Sequence, residues 1–458
     1  MTSGKTMDMT TGKALPIIVR FTIPVLLGNL FQQFYNLADT LIVGRLLGSN
    51  ALAAVGSTGT LMFLMTGFTG GLTTGFSVQT AQTYGAKDYG HMRRSVANAM
   101  LLSILVTVFA TLFSVLFMHP LLKLMNTPAE IYQDAYSYII VIGYGMGASV
   151  FYNLATAILR SVGNSRAPLI FLALSSILNI FLDILFIGPF GMGTMGAAAA
   201  TVLSQGVSAA ACLVYMNRHI RMLWPKKGEW HFNKEDTKFQ LWIGIPMAIQ
   251  YGVTASGNMI KQSAINIFGA DAIAACTASG KFQTMLTPGM FSMGQTMATW
   301  TGQNYGKGSL ERIRQGVKTS SLTILIYAVI VGILSLFLVR PVMGLFFTEA
   351  SEIETMLPYA QTYLYVCVPF YFVLGMIFIS RSALQGCGSS VIPLIGGIAE
   401  FAARLVTAMI AMQAGSFTLA CFCDPAAWLF CCPVLVAGYF AIIKKETMKK
   451  MNTGNLMS

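Results

Sequence analysis

Charge is what this sequence is short of. Only 10% of its 458 residues are Asp, Glu, Lys or Arg, against roughly 25% in a soluble globular domain. So little polar surface cannot cover a water-soluble body of this size. A cytosolic enzyme, a disordered chain and a nucleic-acid-binding domain are excluded as first readings. Histidine is scarce as well. His91, His119, His219 and His231 fall in expected loops or at helix ends, and no metal site or catalytic triad can be assembled from them. There is no GxxxxGK[ST] loop, which disfavours an ATP-driven pump. The opening MTSGKTMDMTTGKALPIIVRF lacks a short apolar stretch followed by a small-residue cleavage site, so no secretory signal peptide is expected. Cys421, Cys423, Cys431 and Cys432 crowd together. Helical spacing scatters them around one segment and no His is near, so they read as small buried residues rather than a metal cluster.

What the chain has instead is apolar length: 55% hydrophobic residues and a mean hydropathy of +0.65. A membrane span needs about 20 apolar residues. Spans are expected near 16–43, 52–82, 93–118, 133–157, 166–188 and 194–216, and again near 239–267, 272–303, 315–338, 355–382, 391–413 and 416–443. That makes an all-α polytopic membrane protein of about twelve transmembrane helices.

The net charge of +12 follows the same frame. All 29 Lys and Arg, except Arg45, Lys123, Arg340, Lys261, Lys281 and Arg404, fall in the tails, in alternate loops or at the adjoining helix ends. This positive-inside pattern places both termini in the cytoplasm. The multi-pass chain is expected in the cell (plasma or inner) membrane as a monomer, surrounded by lipid and without a nucleic-acid partner.

The two halves repeat each other. Pro24 matches Pro246, Asn36 matches Asn258, and ALAA at 51–54 matches AIAA at 272–275. Gln82, Tyr84 and Gly85 match Gln303, Tyr305 and Gly306, while Gly163 and Pro168 match Gly388 and Pro393. The order is kept at nearly one offset, and six spans per half make the repeat parallel. The expected organisation is a six-helix bundle at 1–216, a cytoplasmic linker at 217–238 and a second six-helix bundle at 239–458 with a short basic tail.

An ionisable side chain near the bilayer centre costs about 2.5–3.5 kcal/mol on the insertion scale, so each one needs a reason. The first half carries Asp39 and Asp183 with no buried basic partner, and Asn179 lies one helical turn before Asp183. Unpaired buried carboxylates are tolerated when protonated or when they hold a cation, and both states suit ion coupling. In the second half Lys261 takes the place of Asp39, Arg404 that of Asn179, and Glu400 precedes Arg404 by four residues. Glu400–Arg404 reads as a structural ion pair, and Lys261 as pairing with Glu400 or lining a cavity. Asp424, before Pro425, reads as a local cap after a helix break. Gln33, Asn153, Gln250, Asn258, Lys261, Gln283 and Met285, polar or adaptable positions within spans, are candidate substrate contacts.

The stretches YNLADTLIVGRLLGSNALAAVG (35–56), QTYGAKD, AILRSVGNSRAPL, NIFLD (179–183) and MGAAAATVLSQ (195–205) resemble the multidrug and toxic compound extrusion (MATE) family along almost the whole chain. The resemblance implies two pseudo-symmetric six-helix bundles in a V. It implies export of amphipathic, often cationic, organic compounds in exchange for Na⁺ or H⁺, with no cofactor and no enzymatic reaction. It also implies a cation-coupling site at Asp39, Asn179, Asp183 and Thr201, with Tyr35 one turn before Asp39. Na⁺ would be held at Asp39, Asn179 and Asp183. The rival reading is a lipid-linked saccharide flippase of related fold, which would use Lys261, Lys281 and Arg404 to grip a pyrophosphate.

Overall fold

The computed structural model describes residues 6–347 and 350–455, and every regular element among them is helical. In the first half α1 (Ala14–Leu47), α2 (Ser49–Ser57) followed by α3 (Gly59–Gly85), α4 (Tyr89–Leu124), α5 (Ala129–Tyr144) followed by α6 (Met146–Ser161), α7 (Arg166–Ile187) and α8 (Gly193–His219) form six rods. The second half repeats the pattern. It comprises α9 (Lys234–Asn266), α10 (Ala270–Leu286) followed by α11 (Pro288–Gly306), α12 (Leu310–Phe346), α13 (Ala350–Cys367) followed by α14 (Tyr371–Gly386), α15 (Val391–Ala414), and α16 (Phe417–Cys421) followed by α17 (Cys423–Asn455).

Nine described helices are long and apolar enough to cross a membrane, and α5 with α6, bent by 51°, makes a tenth if it is one span. The rods of α9 and of α10–α11 have the length but carry more polar residues, because they contribute buried amides, hydroxyls and a lysine.

Side-chain placement is that of a lipid-facing body. On α4, Leu105, Phe109, Leu112 and Leu116 form one exposed stripe; on α7, Ile170, Leu174, Ile177, Phe181 and Ile184 form another. Spacings of three and four residues put each set on one helical face. The opposite face of α7 buries Ser176, Asn179 and Asp183. Lipid tails solvate Leu and Phe at no cost, so the interior of such a bundle is left to small and polar groups.

The backbone itself carries the repeat. Left-handed conformations recur at matching places, Gly48 with Gly269, Lys87 with Gly308, and Gly163 with Gly388. At Gly163 the reason is steric as well as conformational, since a Cβ there would lie 2.2 Å from the Met7 carbonyl oxygen.

The chain forms two compact units that do not divide at the linker. One holds the residues up to Thr11 and Ile23–Tyr251; the other holds Gly12–Thr22 and the residues from Gly252 on. The boundary between Thr22 and Ile23 falls inside α1, and that between Tyr251 and Gly252 inside α9. In the first unit the start of α9 lies against α3 through small residues. A Cβ on Gly75 would come 2.4 Å from Gly244 Cα, and one on Gly71 2.8 Å from Ala248 Cα. Polar contacts lock the approach: Gln240 Nε2 donates to Gln79 Oε1 at 3.0 Å, and Asn98 Nδ2 donates to Gln240 Oε1 at 3.0 Å. In the second unit the pseudo-equivalent crossing is made by hydroxyls, with Thr22 Oγ1 2.8 Å from Thr296 Oγ1.

The segment between α8 and α9 is fastened to the first unit. It contains two short 3₁₀ turns, Arg221–Leu223 and Lys227–Glu229. Arg93 Nε donates to Glu229 at 3.1 Å, and His91 Nε2 lies 2.7 Å from Asp236 Oδ1. Donation of the His91 Nε2–H to the Asp236 carboxylate raises the pKa of His91 above its usual value against partial burial. Burial opposes ionisation of Asp236, but His91 and Gln79 outweigh it and hold the carboxyl below the ordinary range.

Candidate functional site

In the first unit α1, α7 and α8 bring Asp39, Asn179, Asp183, Thr201 and Tyr35 together. Asn179 and Asp183 share a face of α7 by their four-residue spacing, and both are fully buried; Asp39 and Thr201 are buried as well. The Asp39 and Asp183 carboxyls are within hydrogen-bonding reach of each other. Oriented to suit its neighbours, the Asn179 amide donates to Asp183 Oδ2 at 2.9 Å and its oxygen accepts from the Thr201 backbone N–H at 3.3 Å. Tyr35 donates to Thr201 Oγ1 at 3.2 Å.

One buried oxygen of each carboxyl, Asp39 Oδ1 and Asp183 Oδ1, has no hydrogen-bond partner. Among the described residues neither carboxylate forms an ion pair. Two carboxylates this close, away from water, cannot both keep a bare negative charge. The arrangement has a stable electrostatic state only with a shared proton or a bound cation. Beside it, Tyr35, Gln32, Tyr152, Ser176 and Ser204 line a small cleft.

The second unit has opposite polarity at the pseudo-equivalent positions. Arg404 Nη1 lies 3.0 Å from Glu400 Oε1, and Arg404 Nε lies 3.2 Å from Asp424 Oδ1. Lys261 Nζ lies 2.8 Å from Asp424 Oδ2, and Arg381 Nη2 lies 3.1 Å from Glu400 Oε2. Two sequence expectations are corrected here. Asp424, read as a local cap, is the centre of a buried ion network, because the first turn of α17 points it at α9 and α15. Lys261 pairs with Asp424 rather than Glu400, whose second partner is Arg381. Arg381 lies near the end of α14 and reaches Glu400 on α15, a contact between helices that sequence spacing does not signal. Gly257 leaves the space for this network: a Cβ there would meet Arg404 Nη1 at 2.9 Å. In the first half the matching position is Tyr35.

The other candidates do not form one group. Gln33 and Asn258 are exposed, Met285 is 50% exposed, Asn153 is half-buried and Gln250 is buried. Gln283 joins the second network, its Oε1 accepting from Tyr363 Oη at 2.9 Å, while Tyr363 also approaches Asp424 Oδ2 at 3.4 Å. Lys281 is exposed. The eight cysteines are unpaired, and no group of metal-ligating side chains occurs among the described residues.

Apolar helices repeated in two sets of six, with buried carboxylates that lack an ion-pair partner in one set and are ion-paired in the other, fit a membrane transporter of the internally repeated class. The chain belongs to the MATE family: the MatE family model matches residues 24–185 and again 246–411. It is 28% identical to the "Probable multidrug resistance protein NorM" of Thermotoga maritima, covering 86% of this chain and 85% of that one. It is 29% identical to the "Probable multidrug resistance protein YpnP" of Bacillus subtilis, covering 68% and 69%. Its fold matches a crystal structure of MATE in the bent conformation with a TM-score of 0.87 at 22% identity, covering 98% of this chain and 100% of that one.

Proposed function

We propose that the chain is a secondary antiporter. It exports amphipathic, often cationic, organic compounds from the cytoplasm in exchange for Na⁺ or H⁺ by alternating access, acting as a monomer in the cell membrane with both termini cytoplasmic. The observation that carries the reading is the pair of facing carboxylates, Asp39 and Asp183, buried without a basic partner in helices that otherwise expose apolar side chains. Such a pair changes its charge state only by taking up or releasing a cation, which is what coupling requires. Carboxylate, amide and hydroxyl oxygens at Asp39, Asn179, Asp183 and Thr201 suit Na⁺, and two facing carboxyls suit a proton. A pyrophosphate-gripping flippase is less well supported, since Arg404 is engaged by two carboxylates and Lys281 is exposed.

The test is uptake of rhodamine 123 by everted vesicles under separately imposed Na⁺ and H⁺ gradients. Acceleration by one gradient, lost on its collapse, is expected. Uptake indifferent to both gradients would sink the antiport reading.

A further inference from the structure

The ion network of the second unit holds three bases, Lys261, Arg381 and Arg404, against two acids, Glu400 and Asp424. Among the described residues no third carboxylate pairs with them. A desolvated cluster with one uncompensated positive charge is unfavourable and gains from a matching anion. The surplus does not sit on Arg404, whose guanidinium is engaged by both acids and whose side chain is 5% exposed. It falls on the two ends of the chain of contacts. Arg381 has a buried Nε–H without an acceptor. Lys261 has three N–H donors and a single hydrogen-bond acceptor, Asp424 Oδ2, while its ammonium also lies 5.7 Å over the Tyr363 ring. At 20% exposure the Lys261 side chain is the most accessible of the three bases.

The surroundings favour an added anion at Lys261. Asp424 is the carboxylate that would repel it, but Asp424 Oδ1 is answered by Arg404 and Oδ2 by Lys261. The internal repeat offers a further argument. Lys261 occupies the place that Asp39 holds in the first unit, and Gly257 the place of Tyr35, so one architecture presents a cation site in one unit and a basic site in the other. Gly257 leaves room for it, since a Cβ there would lie 2.9 Å from Arg404 Nη1.

We infer that the Lys261 end of this network is a recognition site for an anionic group, a carboxylate or phosphate, on an organic substrate. The inference rests on the exporter reading and widens its substrate class to amphipathic compounds that carry a negative charge. The anionic group accepts from the Lys261 ammonium, Tyr363 offers its ring beside it, and the Arg404–Asp424 pair holds the lysine in position.

Fluorescein and rhodamine 123 share a xanthene scaffold and differ in charge, so equilibrium binding of the two dyes isolates the charge. Binding is measured by fluorescence polarisation on the full chain in phosphatidylcholine nanodiscs, with no gradient imposed. The wild type should bind dianionic fluorescein, Lys261→Met should weaken it about tenfold or more, as expected for loss of one charge-assisted hydrogen bond, and Lys261→Arg should retain it. The loss on Lys261→Met should be several times larger for fluorescein than for rhodamine 123, and an equal loss for both dyes overturns the inference. Absence of fluorescein binding, or equal binding by wild type and Lys261→Met, overturns the inference. Should Lys261→Met fail to accumulate, the wild type decides: bound fluorescein must shield Lys261 from an amine-reactive reagent, read by mass spectrometry, and undiminished labelling overturns the assignment. Displacement of fluorescein by phosphatidylglycerol in the nanodisc would assign the site to a lipid headgroup and overturn the substrate reading. Because no gradient is used, these outcomes are independent of whether coupled efflux succeeds.

Discussion

Asp39 and Asp183 carry the coupling reading, and they also test it most directly. Replacing either carboxyl by its amide keeps the volume and leaves no cavity, while removing the carboxylate proposed to take up the ion. Asp39→Asn and Asp183→Asn should each lower gradient-driven rhodamine 123 transport about tenfold or more. Their thermal stability in detergent should stay within about 1 kcal/mol of the wild type, because an amide in place of one of two facing carboxylates relieves repulsion. Full transport by both variants would place coupling elsewhere in the molecule. At this scale the sequence was informative where partners share a helix: Asn179 with Asp183 and Glu400 with Arg404 follow from four-residue spacing alone. The contacts of Asp424 with Lys261, 163 residues away, and of Arg381 with Glu400, on the following helix, run between helices, and no spacing rule reaches them.

Among the elements, the start of α9 meets α3 backbone against backbone in the first unit. Gly75 faces the backbone of Gly244, so a side chain cannot be accommodated by rotating a neighbour. Gly75→Leu should destabilise the protein by at least about 1–3 kcal/mol, the usual cost of overpacking, seen as a lower melting temperature and poorer monodispersity. An unchanged melt would show that α9 is not held there.

The linker gives a pH prediction. The His91 pKa is raised in the folded state, so its contribution is fully present below the unfolded value of about 6.5 and is lost as pH rises through the raised value. The lowered pKa of Asp236 makes a contribution that is present above about 3.9 and lost as pH falls through the lowered value. Asp88, which accepts from the His91 backbone N–H, adds to the rise, and Arg94 opposes it. Hydrogen exchange in the 221–233 segment should therefore be slowest between those two limits and speed up above about pH 6.5 beyond its intrinsic pH dependence. His91→Gln should flatten the alkaline limb. An identical profile in His91→Gln would remove this pair from the account of the linker.

For the whole molecule the outstanding prediction is topological. Lys227 lies in the basic segment between the two repeats. If that segment is cytoplasmic, a cysteine at position 227 in an otherwise cysteine-free variant should resist a membrane-impermeant thiol reagent added to intact cells and react after permeabilisation. Labelling from outside would invert the orientation and with it the direction of transport.

Composition, hydropathy and the paired motifs determined that this chain is an all-helical membrane protein built twice over. Those properties depend on transfer into lipid and on local periodicity, both of which are additive along a sequence. The face of α7 that carries Asn179 and Asp183 was legible for the same reason. Only the tertiary structure decided that α1 and α9 each pass from one compact unit to the other within their length. That exchange depends on Gly75 meeting Gly244 and Thr22 meeting Thr296, close approaches between segments remote in sequence. It also decided that the buried charges of the second unit form one network with a surplus positive charge. The energy of a buried ion depends on which opposite charge lies within a few ångströms, and that is a property of the folded arrangement of helices.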